Sequence, residues 1–410
     1  MKIKVYTGRD TGRMWIMDIG LGMGIGMMMM VTTIDIGSIL MQMNPLFPSG
    51  DAQQQWWVYL LWIIPFFIFL LYGQRIQMWM VLNDVSRSLN KLKIMQDKAR
   101  EEAVAYLKSI NPNLASTERL DMMMEQFAIT PVDMDPYGIV RKVQHIIRLR
   151  DERIKAQVKL LAPQADEVTA SKLENVLEVA TALYMLYKIV RHFYLMGKKT
   201  TSMFFLVQLQ MLMPLIMQSA EALNKAIPAI KSGQPIGDGI GPMIVGRLML
   251  NRAKVQIARD TVMSEYEYNG RRLYLVKAQG PGGTVGEPHT AVERLINEMG
   301  VRIDMIIMID AALKLEGEKT GDVAEGVGAA IGGIGVEKYQ IEEVATKHSI
   351  PLYAVIIKQS ILEAITVMRK EIAEAVDRAS KSIFRMVDEH SKEGDNILII
   401  GVGNTLGVGQ

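Results

Sequence analysis

An uncharged apolar stretch near the amino end constrains this chain more than any other feature. No charged residue occurs from Ala52 to Gln74, and the centre, Trp56 to Gly73, is built almost entirely of large apolar side chains. A helix of this length spans about 27 Å, at about 1.5 Å per residue, which is close to the hydrocarbon thickness of a bilayer. Tryptophan and tyrosine stand at its ends, where the headgroup layer favours them. The sequence therefore predicts a transmembrane helix over residues 51–74.

The flanking charges predict its orientation. Cations follow the stretch closely, beginning with Arg75 and Arg87, whereas Asp51 adjoins its start. We expect a single pass through the cell membrane, with the lipid bilayer as partner, and the positive-inside rule predicts that the C-terminal body lies in the cytoplasm. Residues 1–50 form an N-terminal extension. Within it, Ile19 to Ile34 is uncharged but rich in glycine, so it is either a weak extra span or an interfacial or disordered segment.

The middle of the chain has a helical texture, with a juxtamembrane helix over 75–110 and a helical domain over 111–255. A heptad pattern of apolar residues begins at Leu82, Val85, Leu89 and Leu92, but it is too short for a coiled coil. This shortness favours packing of the helix on the body of the protein over a dimer stalk. Residues 200–220 are uncharged but contain three glutamines. We interpret them as a buried helix, with a second span as the alternative.

Charge and cysteine usage exclude several classes of function. The chain has 46 Lys and Arg against 44 Asp and Glu, so nucleic acid is not expected as the main partner. Cysteine is absent, which excludes disulfides, thiolate metal sites and a cysteine nucleophile. The basic stretch Arg141–Lys155 is either a solvated helix face or a contact for anionic headgroups.

From about residue 256 the pattern changes to strands alternating with helices. Asn269-Gly270, between alternating flanks, predicts a β-hairpin. Four apolar runs separated by helical patterns then predict an α/β domain over 256–410, with a mostly parallel sheet and three layers. These predicted strands are Leu273–Lys277, Ile303–Ile309, Leu352–Ile357 and Ile397–Ile400.

Three segments of this domain share the spacing G-x-G-x-x-x-G, at 280–286, 326–332 and 401–407. None matches the phosphate loop or the dinucleotide fingerprint. They indicate either tight turns with close packing, or one pocket lined by amide N–H groups that would suit phosphate, carboxylate or a peptide carbonyl. A further loop at 233–242, rich in glycine and proline, either is a linker or lines a ligand, and its composition favours a linker. The predicted ligand-binding residues are Lys277, Gly280, Gly282, Gly283, Thr284, Gly326, Gly328, Gly401, Gly403 and Asn404.

Carboxylates cluster after the second predicted strand of the domain. Asp310 directly follows that strand, at the edge where open sheets bind ligands. The candidate catalytic residues are Asp310, Glu316, Glu318 and Lys314, and a divalent metal would bind Asp310, Glu287 and His289. The alternative is surface charge with local Lys–Glu pairing.

Longer motifs carry a family resemblance. PIGDGIGP, KAQGPGGTVGEP and the terminal IIGVGNTLGVGQ resemble an archaeal family of membrane-anchored proteins of unknown function, from about Trp56 to the end. This resemblance implies no activity.

A looser resemblance covers about the last 140 residues. Ile309–Ala311, the glycine run Gly326–Gly335 and the segment from Ile350 are similar to the group of spore germination proteases and hydrogenase maturation endopeptidases. The resemblance implies that Asp310 binds metal. In that group the G-x-G-N segment opens the domain and leads to an acidic pair, whereas here Gly401–Asn404 lies at the end without one.

These observations lead to two functional expectations. The first is a membrane-anchored cytoplasmic protein whose C-terminal domain binds a small anionic or peptide ligand, with a divalent metal and hydrolysis as extensions. The second is a non-catalytic membrane scaffold or assembly protein, which would act as a homo-oligomer.

Overall fold

The computed structural model describes residues 56–112, 117–125, 139–332 and 336–409. The predictions for residues 1–50, and for the first residues of the predicted span, lie outside these ranges. The chain divides into two compact units. Among the described residues, the small unit consists of 56–89 and 190–213, and the main unit consists of 90–189 and 214–409.

The predicted membrane stretch and the helix after it form one element. Helix α1 runs over Trp56–Ile110, so Pro65 does not interrupt it. Toward its carboxyl end, Leu92, Ala99, Ala103 and Leu107 are fully buried, at spacings of seven, four and four residues that place them on one face. The juxtamembrane segment therefore packs as an amphipathic helix, as its sequence indicated.

The described residues of the N-terminal part form four more helices. Arg100 of α1 holds Asp121 with two hydrogen bonds of 2.6 and 2.7 Å, and these bonds attach the short α2 to α1. By length and composition, α5 is the one described helix apolar enough to cross a membrane. This candidate lies inside the chain rather than at its N-terminal end. The four helices are α2 (Glu118–Met124), α3 (Ile139–Leu161), α4 (Glu167–Thr200) and α5 (Met203–Ser232).

The C-terminal part is a seven-stranded mixed sheet of order β1-β2-β3-β7-β4-β6-β5. The prediction of a mostly parallel sheet was wrong. The centre, β3-β7-β4-β6, is parallel, but β1-β2, β2-β3 and β6-β5 are antiparallel pairs. The strands are β1 (Val255–Ala258), β2 (Thr261–Tyr268), β3 (Arg271–Ala278), β4 (Met305–Leu313), β5 (Val323–Val327), β6 (Leu352–Gln359) and β7 (Asn396–Gly401).

Connection length explains the mixture. β2 and β3 are joined by Asn269 and Gly270, both with positive φ, and so short a turn can only produce antiparallel neighbours. Helices join β3 to β4, β4 to β6 by way of β5, and β6 to β7, which allows the central strands to run parallel. The sheet helices are α6 (Ile240–Leu248), α7 (Pro288–Glu293), α8 (Val336–Lys347), α9 (Ile361–Ile365), α10 (Lys370–Ala373) and α11 (Ala375–His390).

Each face of the sheet buries its own apolar cluster. Leu275 and Ile309 belong to the cluster that packs under α6 and α11, whereas Val276 and Met308 belong to the one under α7 and α8. Because side chains alternate along a strand, successive buried residues of the central strands face one cluster and then the other. Residues 236–249 pack with the first cluster, although the sequence had grouped them with the helical domain.

Candidate functional site

Two of the three glycine motifs meet at the carboxyl edge of the sheet. The first follows β3 and the third follows β7, and these two strands are parallel neighbours. Thr405 N donates to Thr284 O at 2.9 Å, Thr284 N donates to Thr405 Oγ1 at 3.2 Å, and Gly407 N donates to Pro281 O at 3.2 Å. The structure thus brings these two predicted loops together.

The loop at 233–242 joins them and does not act as a free linker. Asp238 Oδ2 accepts a 3.0 Å hydrogen bond from Asn404 N, and a Cβ added at Gly403 would lie 2.0 Å from Asp238 O. A Cβ at Gly280 would lie 1.9 Å from Val408 O. We call residues 237–241, 280–284 and 401–408 the glycine junction. Its glycines let backbone approach backbone, so the chain itself occupies the space beside Gly401, Gly403 and Asn404.

The second motif, 326–332, is elsewhere. Gly326 lies in β5, the edge strand three places from β7. Gly328 N donates to Leu352 O at 2.9 Å, at the amino end of β6, which is the edge of the sheet opposite the glycine junction. No heavy atom lies within 4 Å of a Cβ added at Gly326 or Gly328, so these glycines make no close approach of that kind.

Lys277 and Asp310 are both buried near the carboxyl edge, but on opposite faces of the sheet. Lys277 lies two residues after Leu275 on β3, so the two share the face of the sheet that packs under α6. Asp310 lies two residues after Met308 on β4, so these two share the face that packs under α7 and α8. Asp310 Oδ1 accepts from Ala311 N at 2.7 Å, and Lys277 Nζ donates to Ala278 O at 3.1 Å. Burial, with a smaller contribution from Lys254, lowers the pKa of Lys277 to about 8. The sheet therefore separates these two predicted site residues.

The other predicted catalytic residues make local contacts. Glu318 Oε2 accepts from Leu315 N at 2.7 Å, and its other oxygen pairs with Lys358, which lowers the pKa of Glu318. Lys314 Nζ donates to Thr320 Oγ1 at 3.0 Å, and Glu316 is exposed.

Sequence reasoning missed a buried carboxylate next to this segment. Glu363 accepts from Thr320 Oγ1 at 2.9 Å, Ser360 N at 2.8 Å and Arg369 Nη1 at 2.7 Å. Burial opposes the charge of this group, but the hydrogen bonds from Ser360 and Thr320 and the charge of Lys314 outweigh it and keep the pKa of Glu363 low. The signal was present as Ser360-Ile-Leu-Glu363, a capping box directly after an apolar strand.

The residues predicted to bind a metal have protein partners instead. Glu287 lies 3.3 Å from Arg259 and 3.9 Å from Arg148, so two guanidinium groups already balance its charge. Nε2 of the buried His289 is 3.1 Å from the Gln144 amide, which belongs to α3. Within the described ranges, no three His, Asp or Glu side chains are placed to hold a metal ion. The donors present here do not fit a metal centre.

The basic stretch of α3 is also partly engaged inside the protein. Arg148 approaches Glu287, Arg150 lies 3.1 Å from Asp151, and Lys155 Nζ lies 2.8 Å from Asp260 Oδ2. The pairs with Glu287 and Asp260 attach α3 to the sheet domain, whereas the Arg150–Asp151 pair is local to α3.

An open cleft of about 370 Å³ lies beside the glycine junction, in the main unit. The end of α3, the start of α4 and the outer side of the first glycine loop enclose it. Ser171 Oγ is buried there and has no hydrogen-bond partner among the described residues. The polar and glycine residues of the lining are Lys155, Lys159, Glu167, Ser171, Glu174, Asp260, Gln279, Gly280, Gly282 and Thr284.

This cleft contains three predicted ligand-binding residues, Gly280, Gly282 and Thr284, and excludes the predicted catalytic set. Sequence reasoning missed Lys159 and Ser171, because their contribution depends on how α3 and α4 meet the loop. The available signal was a basic helix end, followed after a Pro-containing turn by a new helix start.

Comparison with known proteins identifies the family. No curated protein and no solved structure matches the chain, so nothing there supports the resemblance to the protease group. The C-terminal domain of unknown function DUF1512 matches residues 236–409, and its start coincides with the residues that pack on the sheet. The N-terminal domain of the same family matches residues 59–233. Since the two matches together cover most of its length, this chain belongs to the DUF1512 family of proteins of unknown function.

Proposed function

We propose that this protein is a membrane-anchored binding protein whose sheet domain takes a small peptide-like ligand in the cleft beside the glycine junction. The observation that carries the proposal is the cleft itself. The volume of the cleft lies within the range typical of small-molecule sites. Its lining combines the outer side of the first glycine loop with charged side chains of both signs.

The charges of the lining favour a peptide-like ligand over a simple anion. Lys155 and Lys159 face three carboxylates, those of Glu167, Glu174 and Asp260. Lys155 is already paired with Asp260, which leaves Lys159 as the cation best placed to receive a carboxylate. A ligand with both an amino and a carboxyl group would meet a partner for each. Hydrolysis is not part of the proposal, because Asp310, Lys314, Glu316 and Glu318 do not line the cleft.

Helix α1 supports the membrane anchor. Its first part is uncharged as far as Gln74, and Ile64 and Phe67 are more than half exposed. Apolar side chains exposed along a helix that lacks charge are stable in lipid rather than in water. The cations that follow would place the sheet domain in the cytoplasm.

Ligand binding can be tested by thermal unfolding of the full chain in detergent, with a panel of dipeptides and with the same dipeptides blocked at both termini. We expect free dipeptides to raise the midpoint and blocked ones to have a smaller effect. Lys159→Ala should reduce the shift, whereas Lys225→Ala, which replaces an exposed lysine outside the cleft, should not. Equal shifts in the two variants, or no response to any dipeptide, would contradict the proposal.

A non-catalytic scaffold is the second candidate, and one observation favours it. The glycine junction is filled by backbone, as expected if its glycines serve close packing. In that case no dipeptide would bind, and light scattering of the detergent-solubilised chain would show an oligomer.

A further inference from the structure

We propose that the small unit contacts the membrane through a second segment, formed by the end of α4 and the start of α5, and that this segment binds bilayers containing anionic lipid. This inference rests on the proposed membrane anchor and extends it, since the sequence had favoured a single pass.

The start of α5 is uncharged on all sides, and its exposed face carries large apolar side chains. Residues 203–220 carry no charge, and only 28% of the most apolar window of α5 is buried inside the protein. Leu206, Leu209 and Met213 form the buried face. On the opposite face Phe204 is 55% exposed and Met211 is 76% exposed. A helix surface exposed to water normally carries charged residues, so an uncharged face with exposed phenylalanine and methionine favours contact with a bilayer.

The same exposure occurs on α1 within the small unit. Ile76, Trp79 and Met80 are exposed, and Trp79 is 66% accessible. Gln210 Nε2 of α5 donates to Asp84 Oδ2 of α1 at 3.1 Å, so the two helices are joined within this unit. The exposed apolar residues of α5 and α1 are therefore parts of one compact body, and they include Trp79, a residue type that is enriched at membrane interfaces.

Charge identifies the partner. Among the described residues of the small unit, the single acid is Asp84, whereas the cations are Arg75, Arg87, Arg191, Lys198 and Lys199. Lys198 and Lys199 are exposed in the last turn of α4, just before α5. Apolar side chains beside exposed cations match acyl chains beside anionic headgroups. A second copy of the chain is a poorer match, because the same cations would meet across a two-fold interface.

Single-cysteine variants of the full chain test this, since the native sequence contains no cysteine. An environment-sensitive fluorophore would be attached in turn at Met211→Cys, Phe67→Cys and Leu160→Cys, and the protein reconstituted into vesicles of phosphatidylcholine and phosphatidylglycerol. Leu160 is the matched control, because it is an exposed apolar residue of the main unit. Nitroxide-labelled lipid would report acyl contact, and iodide would report contact with water.

We expect nitroxide lipid to remove most of the fluorescence at Met211 and Phe67 and little at Leu160, with iodide giving the reverse. Quenching at Met211 should weaken when phosphatidylglycerol is omitted. If Met211 behaves like Leu160 while Phe67 is quenched by lipid, the second contact is refuted and the anchor stands. If Phe67 also behaves like Leu160, the proposed anchor itself is refuted.

Discussion

Replacing Gly403 with alanine tests whether the glycine junction depends on close backbone approach. Gly403 has a φ of 135°, where side chains are strained, and the new Cβ would lie 2.0 Å from Asp238 O. The neighbour is backbone, so it cannot rotate away as a side chain would. The backbone strain costs about 1–3 kcal/mol, and overpacking adds about 1–3 kcal/mol.

Together these give a loss of about 2–6 kcal/mol in the free energy of unfolding, with the two contributions taken as additive. For a domain of this size each kcal/mol corresponds to roughly 2–4 °C, so the midpoint should fall by on the order of 10 °C. Thermal unfolding of the full chain in detergent, followed by circular dichroism, measures this.

Gly326→Ala is the matched control from the second glycine motif, which has the same spacing. Its Cβ would meet nothing within 4 Å and its φ is not positive, so the midpoint should change little. A Gly403→Ala protein that unfolds at the wild-type temperature would refute the close-approach argument. So would an equal loss in both variants, because the effect would then be a general consequence of losing glycine.

Three further substitutions probe buried charges. Lys277→Met should stabilise the protein by about 3 kcal/mol at pH 7, since the pKa of Lys277 falls from 10.5 to about 8 on folding. Between these two pH values the unfolded chain binds more protons than the folded protein, so the gain in stability should shrink as pH rises from 8 to 10.5. A gain that does not depend on pH would contradict this. Burial lowers the pKa of His289, but Glu337, 3.6 Å from Nδ1, and nearby carboxylates raise it overall. His289→Gln should therefore cost more stability below pH 6.5 than above the raised folded-state pKa, and an NMR titration with a pKa below 6.5 would refute this. Glu363→Ala should lower the free energy of unfolding by about 2–4 kcal/mol, because it removes a buried acceptor of three hydrogen bonds; a wild-type denaturation midpoint would contradict it.

The central strands could be predicted because buried parallel strands are continuous apolar runs, and Asn269-Gly270 marked the hairpin. The two edge strands could not. Val255 of β1 is exposed, and β5 contains Glu325 and Gly326, so neither has the apolar run on which the prediction depended. Since these strands and β2 supply all the antiparallel pairs, missing the edges led directly to the wrong sheet type.

The candidate site was harder to predict, because spacing along the chain does not reveal what fills the space beside a glycine. The motifs at 280, 326 and 401 read alike. A Cβ at Gly403 would meet the carbonyl oxygen of Asp238, which is distant in sequence, whereas a Cβ at Gly326 would meet open space. Long-range packing decides between these outcomes, and a local pattern does not contain it.

The two sides of the first glycine loop connect stability to the proposed function. On its inner side Gly280 approaches Val408, and on its outer side a Cβ at Gly282 would lie 3.1 Å from Ser171 Cβ in the cleft. The loop is thus fixed between the C-terminal segment and α4, and a shift at one contact must displace the other. Gly403→Ala should consequently weaken dipeptide binding even below its unfolding temperature, although Gly403 does not line the cleft. Dipeptide affinity that survives a large loss of stability would show instead that the cleft is independent of the glycine junction.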